Sequence, residues 1–188
     1  MKEIFTDGRN ALKLFLCLFA SLVCTATVVA QSNQSVYTPL GAKQCRAIKV
    51  ARRVPDDGFS ARCQGAAGYT LVVSEGDLRQ NIVVVTPQGE EHSLDLWSTI
   101  SSGFSSVGPN AEWRLASQNG KLVPVALIIR YNASEDPEKP DKITSYLAVA
   151  KITPTEVCVT DKISPGPKAN EDARRAADAA PTKPCRKQ

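Results

Sequence analysis

The chain contains a single histidine, His92, and a single methionine, the initiator. One imidazole excludes a metal centre built from histidines, and no two cysteines have the Cys-x-x-Cys spacing of a zinc site; no metal is expected. Without internal methionine there is no pliable Met-rich surface. Aromatic residues make up only 6% of the chain, which excludes an aromatic-rich binding platform. Basic residues are mixed with acidic ones, apart from Arg52-Arg53, Arg174-Arg175 and the tail Lys183 to Lys187. Nucleic-acid recognition asks for a basic stripe with interleaved aromatics, so no nucleic-acid partner is expected. There is no phosphate-cradling glycine loop or dinucleotide fingerprint, and no cofactor is expected. No internal repeat or second linker divides the sequence.

What is present begins with an export signal. Lys2, Arg9 and Lys13 outweigh Glu3 and Asp7 by one charge. An apolar run from Leu14 to Val29 follows, interrupted by Ser21, Thr25 and Thr27, and ends Val28-Val29-Ala30. Short length, basic start and small residues at the end describe a cleavable signal peptide over 1–30, with the cut after Ala30. Polar interruptions and marginal length argue against a retained membrane anchor. Cys17 follows Leu16 and Cys24 follows Val23, so neither has the small residue that lipidation needs before its cysteine. The expected location is the periplasm of a bacterial-type cell or the secreted space, with no transmembrane span after cleavage.

The remaining sequence is one domain's worth, long enough to bury a core. It keeps Cys45, Cys63, Cys158 and Cys185. Paired cysteines in an exported chain imply disulfides. Of the possible connectivities, Cys45–Cys63 and Cys158–Cys185 are favoured, because local pairs need the least rearrangement.

Turn chemistry and apolar runs predict a mainly β domain, an antiparallel sandwich or barrel-like fold with one C-terminal helix. A flexible start is expected over 31–36, then one β-rich domain over 37–185. Strands are expected at Ala42–Val54 and Phe59–Gln64, joined by the turn Pro55-Asp56-Asp57-Gly58. The Cys45–Cys63 bridge would set Val50 opposite Gly58. Further strands are expected at Tyr69–Ser74, Leu78–Thr86, His92–Ile100, Ala111–Ala116, Leu122–Tyr131, Ile143–Ile152 and Thr155–Asp161; of these His92–Ile100 is ambiguous, since Trp97 and Ile100 also fit a short helix, and strand is favoured. Asn119-Gly120 is a hairpin turn signal. Ser101–Asn110 and Ser134–Lys142 read as loops. Asn170 is placed to cap a helix from Glu171 to about Ala180, with an apolar face of alanines.

Candidate chemistry rests on charged residues. Alternate residues of an extended chain share a face, so Glu75, Asp77 and Arg79 form an ion-pair cluster, a polar partner site or an acid/base pair. The glycine at 76 favours a turn in which Asp77 bonds the backbone. Glu112 and Arg114 share one face with Trp113 on the other, in the core. With Arg130 at the end of an apolar strand, the expectation is one polar cluster of Glu75, Asp77, Arg79, Glu112, Arg114 and Arg130, whose members either satisfy one another, as buried charges usually do, or bind a partner. Gly103 to Gly108 resembles a nucleophile elbow with its second glycine one place too late, and His92 is the only imidazole to serve it. Glu135, Asp136, Glu138 and Asp141 crowd one loop without the regular spacing of a calcium site. No catalytic residue is assigned.

The order of Cys45-Arg46, Arg62-Cys63-Gln64-Gly65, Tyr69 to Val73 running into Ser74-Glu75-Gly76-Asp77-Leu78-Arg79, Glu112-Trp113-Arg114, Ile128-Ile129-Arg130, Cys158 and the helix ending near Cys185 resembles a family of small exported alphaproteobacterial proteins. The likeness spans roughly residues 37 to 185. It departs at Gln64, where proline is usual, and in a helix richer in alanine. The family has no assigned reaction, ligand or partner, so the resemblance implies architecture only. The expectation for function is a non-enzymatic exported β-domain that binds a protein or envelope component. One alternative is a periplasmic inhibitor of a wall-degrading enzyme such as lysozyme; another is a hydrolase using the carboxylate cluster.

Overall fold

A computed structural model describes residues 33–48 and 59–187. The leader with its cleavage site, the Pro55–Gly58 turn and the Val50–Gly58 pairing lie outside the described residues. The elements are β1 (Gln34–Pro39), β2 (Arg46–Ala47), β3 (Ser60–Gln64), β4 (Thr70–Gly76), β5 (Arg79–Val85), β6 (Glu91–Ser93), α1 (Leu96–Thr99), β7 (Phe104–Gln118), β8 (Lys121–Ser134), β9 (Ile143–Ile152), β10 (Val157–Ile163) and α2 (Ala169–Ala179), followed by a 3-10 turn at Ala180–Thr182.

The strands form one 10-stranded sheet in the order β10-β9-β8-β7-β5-β4-β3-β2, with β1 added to β7 and β6 to β5. Every pairing is antiparallel except the single parallel bridge Arg79↔Ser105 between β5 and β7. The ladder stays open. Even so, Cys63 and Leu71 from one end of the path share a core with Ile152 and Val159 from the other, around Trp113, Leu127 and Tyr131. The sheet therefore wraps its inner face around a common core in a barrel-like manner.

β8 and β9 are buried on both faces, which is why their sequences read as continuous apolar runs. Leu127, Ile129 and Tyr131 point inward. Ala126 and Ile128, with Leu147 and Val149 of β9, face outward against Ala173, Ala177 and Ala180. Alanine on the helix lets its backbone lie close to the sheet. The buried Trp113 ring donates its Nε1–H to Thr38 Oγ1 at 2.9 Å, which satisfies its one polar atom and ties β1 to β7.

Both expected disulfides are present, Cys45–Cys63 and Cys158–Cys185. Among the described residues no helix is long and apolar enough to cross a membrane.

Several local expectations are corrected. Gln34–Pro39 is a strand rather than part of a flexible start; its register on β7, Gln34↔Leu115 to Pro39↔Asn110, comes from a distant backbone edge and not from its own sparse apolar residues. β7 starts at Phe104 inside the expected loop, because β8 pairs with it from Phe104↔Ser134 onward and overrides the serine-rich composition. The segment from His92 to Ile100 is not one strand. Asp95 takes a left-handed φ of 47°, after which Leu96–Thr99 makes a single helical turn that buries Leu96. In the expected Ala42–Val54 strand only Arg46–Ala47 pairs, with Arg62–Ala61; the part from residue 49 lies outside the described residues. α2 begins at Ala169 with Lys168 in the cap position and no side-chain cap. Asn170 is inside the helix and accepts a hydrogen bond from Arg130 instead.

Candidate functional site

The charged residues expected to form one cluster are split in two. β5 meets β7 only at Arg79↔Ser105, and from Ser105 to Glu112 the strand advances about 23 Å at its usual rise. Glu75, Asp77 and Arg79 therefore sit at the β4–β5 hairpin, while Glu112, Arg114 and Arg130 lie on the outer face of β7 and β8, under α2.

The second group is largely paired from the helix. Glu112 accepts from Arg174 at 2.7 and 3.2 Å and from the Ser35 hydroxyl. Burial pushes the Glu112 carboxyl up, but the bonds from Arg174, Ser35 and Tyr37 outweigh it and hold the group below the ordinary glutamate range. The same contact raises the Arg174 guanidinium. Arg114 donates to both oxygens of Asp178, at 2.8 and 2.9 Å. Sequence reasoning missed these partners. The available signal was Arg174 and Asp178 four residues apart, on neighbouring helix turns beside Ala173 and Ala177.

The hairpin group is built differently. Gly76↔Arg79 closes β4 on β5, and the two loop residues, Asp77 (φ 51°) and Leu78 (φ 56°), are both left-handed. Two positive φ values in a two-residue loop are the signature of a type I′ turn. The same loop closes β7 on β8, where Asn119 (φ 51°) and Gly120 (φ 75°) supply the residues this turn prefers. A leucine in that conformation is disfavoured by roughly 1–2 kcal/mol, yet Leu78 is 64% exposed.

Arg79 organises the neighbourhood. Its Nε donates to Ser102 O at 2.9 Å, and its Nη1 donates to Asp77 O at 3.0 Å and pairs with the Asp77 carboxylate. The guanidinium lies 5.0 Å from the centroid of the Phe104 ring. Glu75 accepts from Gln80 Nε2 at 2.8 Å. Trp97 is carried by α1, which is held on β5 by Leu96 N–H donating to Asn81 Oδ1 at 3.0 Å. Trp97 and Phe104 are 52% and 50% exposed. A hollow of about 500 Å³ lies between Trp97, Asp77, Arg79 and Ser102. A second of about 510 Å³ lies between Arg79, Phe104, Ser101 and Glu135.

No protein-family model, curated protein or solved structure matches this chain.

The serine-rich segment and the single imidazole are held apart, and the acidic loop bonds within its own surroundings. Ser105 bonds the Tyr131 hydroxyl at 2.6 Å. His92 pairs with Val84, five residues along β5 from the partner of Ser105, or about 17 Å. Glu135 accepts from Ser101 at 2.7 Å and from Tyr146 at 2.8 Å; the Ser101 bond is the largest influence holding it below its ordinary range. Asp136 accepts the Glu138 backbone N–H at 3.1 Å. Among the described residues the one grouping of acid and thiol atoms is Glu156 with Cys158 and Cys185, and those sulfurs are already bonded to each other.

Proposed function

We propose that this protein is an exported, non-enzymatic β-domain that docks a partner protein of the periplasm or envelope on the face carrying Leu78, Trp97 and Phe104. The single observation behind this reading is the exposed Leu78 held in a left-handed turn that the chain builds with Asn-Gly elsewhere. Backbone strain of this kind clusters at functional sites, and a leucine gains nothing from solvent there. Trp97 and Phe104 add large apolar area around one arginine, the composition of interface anchors.

Export is supported by the signal-like leader and by the two disulfides, which persist in oxidising compartments. The resemblance to small exported alphaproteobacterial proteins belongs to the same reading. The loop 135–142 beside the face carries Glu135, Asp136, Glu138 and Asp141 against Lys139 and Lys142. Its net negative charge favours a partner that presents an apolar side chain flanked by basic residues. A wall-degrading enzyme such as lysozyme is one such partner. The hydrolase alternative has no support, since the Glu75 and Asp77 carboxylates are occupied by Gln80 and Arg79.

The test is capture from periplasmic and envelope fractions by wild type, Leu78→Gly and Trp97→Ser, followed by titration of the captured protein. Each variant is expected to weaken binding by about tenfold or more, Leu78→Gly with a melting temperature that holds or rises and Trp97→Ser with some loss of stability from the buried half of its ring. Relief of lysozyme inhibition by Leu78→Gly would identify that partner class. Equal binding by all three proteins rejects the face.

A further inference from the structure

Arg114 of β7, Arg130 of β8 and Arg174 of α2 meet the seam where α2 lies on the sheet. Two of them are neutralised in place, Arg114 by both oxygens of Asp178 and Arg174 by both oxygens of Glu112. Arg130 is the exception. Its Nη1 donates to Ser145 Oγ at 3.0 Å and its Nη2 to Asn170 Oδ1 at 3.1 Å, both neutral acceptors. Among the described residues no carboxylate lies within the 4.0 Å of an ion pair to it. Its bonds among the described residues are to neutral acceptors only, so its charge is left to solvent or to a bound anion.

A cavity of about 240 Å³ opens at that place. Tyr37, Asn110, Asn170 and Arg174 complete its polar wall around Arg130, over a floor of Ile128 and Leu147. Asn170 Oδ1 accepts from Arg130, and among the described residues its NH₂ has no acceptor. The Tyr37 hydroxyl accepts from Arg174 at 3.1 Å. The one acid in the wall, Glu112, is already engaged by Arg174 and Ser35. Donors are in excess.

The backbone accommodates the arginine. β7 shifts register between Val107↔Tyr131 and Ala111↔Ile129, so Gly108, Pro109 and Asn110 bulge opposite Arg130. A Cβ on Gly108 would stand 2.7 Å from Arg130 Cβ and 3.4 Å from its Cδ. The glycine makes room for the arginine stem, as bulges do where they re-aim a side chain.

We propose that this seam binds a compact oxyanion, a carboxylate or phosphate group whose charge pairs with Arg130. The cavity is smaller than the roughly 300–1,000 Å³ of drug-sized sites, so the ligand is a short organic acid or a phosphate rather than a nucleotide. The site is separate from the Leu78 face and does not depend on it.

Asn170→Asp tests the proposal without changing shape, because it puts the missing carboxylate where Arg130 already has a partner. Thermal melts of wild type, Asn170→Asp and Arg130→Gln are run in inorganic phosphate and in succinate, at low millimolar levels, against sodium chloride of equal ionic strength. Wild type is expected to show a saturable rise of about 3 °C at ten times Kd. Asn170→Asp is expected to melt higher than wild type in chloride and to lose the anion response, and Arg130→Gln to lose it too. The anion that saturates at lower concentration names the head group. No specific response in wild type, or the same response in Asn170→Asp, overturns the proposal, and a folding defect in Arg130→Gln leaves that decision with Asn170→Asp.

Discussion

Arg114 and Asp178 lie on different elements, 64 residues apart in sequence, and are joined by two hydrogen bonds of 2.8 and 2.9 Å. The planar fork of the guanidinium matches the carboxylate, so the pair sets the rotation of α2 about its axis as well as its distance from the sheet. This matters because α2 meets the sheet with alanines, Ala173 and Ala177, whose methyl groups contribute little buried area. The ion pair and the disulfide beyond the helix hold what the apolar contact cannot hold alone.

Breaking the pair from one side leaves a charge without its partner. The Arg114 side chain is only 9% exposed and Asp178 is 39% exposed, so Asp178→Ala is expected to destabilise by about 2 kcal/mol, below the loss for a fully buried pair. Arg114→Met combined with Asp178→Ala is expected to lose less than the two single changes together. A double-mutant cycle by urea denaturation measures the coupling. Strict additivity of the two changes rules out the proposed role of the pair.

Leu78 makes the opposite prediction. Leu78→Gly creates Asp-Gly, a favoured type I′ pair, at a position whose φ is 56°. Stability is expected to rise by about 1 kcal/mol, seen as a higher urea midpoint with an unchanged slope. A loss of stability means that the leucine packs usefully in the free protein, and the docking face loses its main support.

Legibility followed the range of the interactions involved. Ile143–Ile152 could be read to the residue, because a strand buried on both faces carries its signal in its own apolar run. The Asn119-Gly120 turn and the two disulfides were readable for similar local reasons. β1 was not, since Gln34–Pro39 has little apolar content and becomes a strand only through the edge of β7. The first residues of β7 look like a loop until Ser134 is known to lie opposite Phe104. At the candidate sites, the charged residues themselves were visible in sequence. Their partners were not, because Arg174 and Asp178 reach Glu112 and Arg114 only once α2 has docked.

The disulfides are expected to be similar in magnitude and different in consequence. Sequence separations of 18 and 27 enter loop entropy only logarithmically, so each bridge contributes about 3 kcal/mol and they differ by less than about 0.5. Cys185 also fixes a tail strapped along β10, where Arg186 N–H donates to Val159 O at 2.7 Å and Lys183 pairs with Asp161 at 2.7 Å. Cys158→Ser with Cys185→Ser is therefore expected to speed hydrogen exchange throughout α2. Cys45→Ser with Cys63→Ser should leave α2 protected. Equal loss of protection in both pairs would show that the bridge at Cys185 has no local hold on the helix.

Acid is expected to loosen the same helix through Glu112. Its carboxyl lies below the ordinary range in the folded protein: burial pushes it up, and the Arg174 and Ser35 bonds more than reverse that. A carboxyl depressed by folding adds stability above its unfolded value, near pH 4.3. That contribution is lost as the pH falls through the folded value. Glu135, held low first by the Ser101 hydroxyl, acts in the same direction. The melting temperature of wild type should therefore drop between about pH 5 and pH 3. Glu112→Gln should melt lower than wild type at pH 7 and show a shallower acid limb, so that the two curves approach each other at the acid end. Parallel curves from pH 7 to pH 3 would mean that Glu112 is not ionised against Arg174 in the folded protein, and that α2 is held without that pair.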